Sequence, residues 1–159
     1  MRLRRTTPAL PVAPGERLLA WAESSDGTVG GTRDALYLPD GTRLPWEEVE
    51  AAGWDSDESV LKVSEVGSWG EPRREHRLAI EAPGRLVELV RERVSASVVL
   101  QRHVPVDGRR SLRVIARRAP RGDRPVAWLF EYDEGLDPDD PIVRTLAEEA
   151  LAAARTEVE

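Results

Sequence analysis

The chain has 159 residues, a formal charge of −6, 40% hydrophobic and 33% charged residues and no cysteine, which fits one mid-sized domain or two small ones. Disulfides, thiolate metal sites and a cysteine nucleophile are excluded, and two histidines, His76 and His103, are too few for a three-histidine zinc centre. Any histidine-based catalytic triad must use one of these two.

Lys62 is the single lysine among the 23 basic residues, and alanine, glycine and proline are plentiful. This is the bias of a high-GC genome, as in actinobacteria, and does not mark arginines chosen for phosphate. No run approaches the roughly 20 apolar residues that span a bilayer. The head Met1-Arg2-Leu3-Arg4-Arg5 is basic like a secretory signal, yet Pro8, Pro11 and Pro14 follow, and Glu16 and Arg17 interrupt the apolar stretch. No cleaved signal is expected, and the cytoplasm is the default location.

Residues 1–14, proline-rich and without a period, read as a flexible lead-in. Short strand-like runs follow: Glu16 to Glu23, Thr28 to Leu38 interrupted by Gly30-Gly31, a run ending at Trp46 after the Asp40-Gly41 turn, Val49 to Trp54, Ser59 to Val66, and His76 to Glu81. Gly27, Gly30 and Gly31 are assigned to a turn or bulge, since no helix follows them. Turn signals about every ten residues predict a small sandwich or barrel. The period then changes. Pro83 opens a helix over 84–95, with Leu86, Leu89, Val90 and Val94 on one face. A three-stranded antiparallel meander is expected next, over Val98 to Val106, Arg109 to Arg118 and Pro125 to Tyr132. Asp140-Pro141 then caps a helix reaching about Glu157. Strands followed by a helix occur twice, which divides the chain into segments 15–96 and 97–159.

Gly15-Glu16-Arg17-Leu18-Leu19-Ala20, Thr32-Arg33-Asp34-Ala35-Leu36-Tyr37-Leu38, Leu44-Pro45-Trp46-Glu47-Glu48-Val49 and Leu61-Lys62-Val63 together resemble bacterial pleckstrin-homology-like and GRAM-like domains. The likeness covers roughly residues 15–95 and implies an α+β fold: a small β-barrel closed by one helix, here followed by the meander and C-terminal helix. The whole chain is also similar to an uncharacterised actinobacterial family. Phosphoinositide-binding relatives carry several bases in the loop between the first two strands. Here that loop, Glu23 to Thr28, carries Glu23 and Asp26, whose charge repels an anionic headgroup.

Charge is unevenly distributed. Eight arginines lie between Arg102 and Arg124 against Asp107 and Asp123, whereas ten acids follow Leu129 against Arg144 and Arg155. A three-residue loop with a glycine bulge at Asp107-Gly108 would place Val98, Leu100, Val104, Leu112, Val114 and Ala116 on one face. Gln101, His103, Arg109, Arg113 and Arg117 would then share the other. That face either binds phosphate or an acidic protein, or meets the acidic C-terminal helix and solvent. The second reading is preferred, because a net charge of −6 gives little long-range attraction to nucleic acid. No sequence-specific nucleic-acid partner is expected.

Trp69, glycine-flanked and followed by Arg73 and Arg74, is a candidate anchor for a partner or membrane interface, or folds back on its own barrel. Trp21, Trp46, Trp54 and Trp128 are expected in core or half-core positions. The acids between Glu131 and Asp140 lack the spacing of a calcium loop and are assigned to helix capping. No phosphate loop, serine-hydrolase elbow or zinc-protease motif occurs. The sequence thus predicts a non-enzymatic module acting through protein contacts, with an acidic partner or its own copies, and without metal or cofactor. The alternatives are peripheral membrane binding through Trp69, Arg73 and Arg74, and a metal-dependent enzyme using the 131–140 acids.

Overall fold

In the computed structural model, which describes residues 10–66, 74–119 and 125–158, the first regular element is a hairpin. Strands β1 (Ala20–Ser24) and β2 (Gly27–Gly31) are joined by Ser25-Asp26, with Gly27 at φ 131°, a value that glycine adopts without strain. Strands β3 (Ala35–Tyr37) and β4 (Arg43–Pro45) complete a meander in the order β1-β2-β3-β4. The run from Thr28 to Leu38 is thus two antiparallel strands and not one interrupted strand. Thr32 makes the reversal: its hydroxyl oxygen accepts the N–H groups of Asp34 and Ala35, each at 3.1 Å, and its own N–H donates to the Ala35 carbonyl at 2.9 Å.

Gly30 and Gly31 do not form the expected turn or bulge; both lie within β2, and their role is clearance. A Cβ on Gly31 would stand 2.7 Å from Leu89 Cδ2 and 3.2 Å from Trp46 Cζ2, so bare backbone there admits the indole. Trp46 is fully buried, and its Nε1–H donates to the Thr32 carbonyl at 2.9 Å.

A 3₁₀ turn, Trp46–Glu48, separates β4 from a second antiparallel sheet of β5 (Val49–Asp55), β6 (Val60–Glu65) and β7 (Glu75–Ala79). The two sheets are joined by the single bridge Ser24↔Ile80 and by the Ser25 N–H, which donates to the Ala79 carbonyl at 3.0 Å. The closed pleckstrin-homology-like barrel expected from the sequence is therefore not formed among the described residues: the ladder breaks at the 3₁₀ turn, and one bridge does not close it. Both sheets contribute to one core, including Val29, Leu36, Leu44, Leu61, Val63 and Ile80. Helix α1 (Leu86–Ser97) buries Leu86, Leu89 and Val90 against it, as its amphipathic spacing predicts.

The chain divides between Ala96 and Ser97 into two compact units. The second holds β8 (Val98–Asp107), β9 (Arg110–Arg117) and β10 (Ala127–Tyr132) in the order β10-β9-β8, followed by α2 (Pro141–Val158). Asp107 pairs with Arg110, so the hairpin has a two-residue turn and not the three-residue loop; the register shift falls between Pro105 and Asp107 instead. Leu112 and Val114 of β9 meet Val143, Ala147 and Ala154 of α2 in a separate core. Asp140 caps α2, its Oδ1 accepting the N–H groups of Ile142 at 2.9 Å and Val143 at 3.4 Å. The described residues are thus mostly β, with ten strands and two helices.

Candidate functional site: the open edge of the second sheet

The arginine face is not one continuous surface. Arg109 sits in the hairpin turn, exposed, and Gln101 and His103 are exposed on β8. Arg113, opposite His103 in the ladder, is engaged across the sheet: its Nε donates to Glu131 at 3.0 Å and its Nη1 to Asp133 at 3.4 Å. Arg117 is only 3% exposed, and its Nη1 donates to Ser97 Oγ at 2.9 Å. The hydroxyl oxygen offsets part of the cost of burying the charge. Arg113 is thus matched by acids of β10 and the turn after it, not by the C-terminal helix. The acidic helix meets a different arginine, Arg102, through Glu157.

Most carboxylates between Glu131 and Asp140 are likewise engaged, with Glu134 exposed. Asp133 accepts the Ser111 N–H at 2.8 Å and its hydroxyl at 3.1 Å, and the Ser111 N–H, with the Arg113 charge adding, holds its carboxyl below the ordinary range. Asp137 turns the loop by accepting the Asp139 N–H, Asp139 pairs with Arg144, and Asp140 is the helix cap. Among the described residues no group of three or more histidine and acidic side chains is placed to hold a metal ion. At the hairpin, Arg110 grips Asp107 with two hydrogen bonds, at 3.0 and 2.7 Å, and donates to the Gly135 carbonyl at 2.9 Å.

In the first unit, a shallow cleft of about 420 Å³ beside the β1–β2 turn is lined by Glu23, Glu58 and Glu81 with Ser24, Ser25 and Ser59. Three carboxylates there repel anions, so the cleft has the wrong sign for a phosphorylated headgroup. Trp69 and Arg73 lie outside the described residues; Arg74 is exposed, and its carbonyl accepts the Glu65 N–H at 2.9 Å. No helix among the described residues is long and apolar enough to cross a membrane.

The feature that stands apart is β10. It is an edge strand. The Asp133 N–H donates to the Ser111 carbonyl at 3.0 Å, and this fixes the phase of the ladder. Paired residues alternate along an antiparallel ladder, so Ala127, Leu129 and Glu131 direct their main-chain groups to β9, while those of Trp128, Phe130 and Tyr132 point outward. Their side chains pack beside the α2 core, half-buried, with Phe130 and Tyr132 ring centroids 6.1 Å apart and the Arg155 guanidinium 6.0 Å from the Trp128 ring.

The opposite edge, β8, is blunted in the ways that discourage strand pairing. It contains Pro105 and two register shifts. β10 has no proline, no register shift and one charged side chain, Glu131, which Arg113 already engages. The sequence placed Trp128 in a core or half-core position but did not mark this edge. Its signal is a proline-free aromatic alternation at the end of a three-stranded meander. Compared with protein-family models, curated proteins and solved structures, the chain gives no match.

Proposed function

We propose that the chain is a non-enzymatic interaction module that holds protein partners by strand addition along β10. One observation carries this reading: three consecutive outward main-chain sites, at Trp128, Phe130 and Tyr132, lie on a regular edge flanked by an aromatic ledge. An added strand gains main-chain hydrogen bonds for affinity and side-chain contacts for selectivity. The lack of cysteine suits a cytoplasmic setting, where thiol chemistry is not needed to stabilise the fold.

Site-specific photocrosslinking tests the reading. A photoreactive side chain at exposed Ala127 is compared with one at exposed Gln101 on β8. Protein adducts from position 127, absent from 101, are expected. Adducts from 101 alone move the contact to the arginine hairpin, and no adduct from either position overturns strand addition.

A further inference from the structure

We infer that the strand added to β10 is β10 of a second copy, paired antiparallel about a two-fold axis at Phe130. The inference rests on the strand-addition reading and names its partner. Outward groups belong to even-numbered residues, so a hydrogen-bonded register must match even with even. Pairing Phe130 with itself matches Trp128 with Tyr132 and Tyr132 with Trp128, and it uses all three outward sites within the strand. Aromatic side chains then stand opposite one another along the α2 face, and aromatic cross-strand pairs are favourable.

Charge favours the same register. Glu131, the one charged side chain of β10, falls opposite Leu129 of the second copy and not opposite its own equivalent. Pairing Glu131 with itself, the register two residues away, would set two Arg113–Glu131 pairs side by side, carboxylate against carboxylate. The strand also has ends of opposite sign. Arg118, exposed, follows Arg117, the ladder partner of Ala127, while exposed Glu134 and Asp137 follow the other end. Antiparallel pairing brings the basic end of each copy to the acidic end of the other. The ends attract twice.

In this register Ala127 lies opposite Asp133 of the second copy, and its exposed side chain permits substitution without disturbing the core. Sedimentation of the full chain over a concentration series is expected to show a reversible dimer. Ala127→Glu adds a carboxylate beside Asp133 at both symmetry-related contacts and should weaken the dimer about tenfold, whereas Ala127→Lys should not weaken it. Far-UV circular dichroism checks that both variants fold. In hydrogen exchange, the amides of Trp128, Phe130 and Tyr132 should slow as concentration rises, while those of Leu129 and Glu131 are protected throughout. A monomer at every concentration overturns the inference, as does a dimer indifferent to the sign at position 127 or one that leaves those three amides unprotected. A monomer that still yields adducts of other proteins from position 127 overturns self-pairing and leaves strand addition standing. Loss of both sinks the two readings together.

Discussion

Asp133 holds its proton less readily in the folded chain than in the unfolded one, because the Ser111 N–H favours the charged carboxylate and Arg113 reinforces it. A carboxyl lowered in this way stabilises the fold above its unfolded value, ordinarily 3.8, and that stability is lost as pH falls through the folded value. Urea midpoints should therefore decline on acidification through that window, with Asp133→Asn flattening the decline. Asp107, lowered by its hydrogen bonds to Arg110, acts in the same sense. Glycines give a second contrast. Gly31→Ala forces a methyl group toward Leu89 and the rigid Trp46 ring and should cost about 1–3 kcal/mol. Gly53→Ala in β5 meets open space and should gain about 0.4–1 kcal/mol. Both are read from denaturation midpoints.

The arginines of β9 and its turn separate once the strand is folded. Arg117→Ser removes a buried charged hydrogen bond and should cost about 1.5–3 kcal/mol, whereas exposed Arg109→Ser should stay within about 0.5 kcal/mol. Equal effects in thermal or urea unfolding would contradict this division. The sequence made the alternation of β9 legible, and with it the placement of Arg113 and Arg117 on one face; it did not show which neighbour would neutralise Arg113. That depends on the β9–β10 register, which sets Glu131 opposite Arg113 and is fixed only by long-range pairing. The helices were legible from their 3.6-residue spacing, and Asp140-Pro141 marked the start of α2. The break between the two sheets of the first unit was not, and the expected barrel was wrong for that reason: the 3₁₀ turn at Trp46–Glu48, where the ladder stops, carries no strong sequence signal. The open edge was half visible: the aromatic alternation of β10 could be read directly, but its outward phase needed the Asp133–Ser111 bond.

For the molecule as a whole, self-pairing couples folding to concentration. Binding to the native state alone raises apparent stability by mass action, so the melting temperature should climb with protein concentration and the climb should shrink in Ala127→Glu. Differential scanning calorimetry over a dilution series measures both. A concentration-independent melting temperature in the parent would speak against association of the native chain.

The blunted β8 edge then acquires a second consequence, for stoichiometry. A sheet with two receptive edges can polymerise without limit, each newcomer offering a fresh template to the next. Here Pro105 and the two register shifts make β8 a poor template, so once two β10 strands have paired across the two-fold axis the joined sheet ends on both sides in β8. On that pairing growth would stop at two copies, and a strand adhesive enough to seed a fibre would be confined to a closed, countable particle.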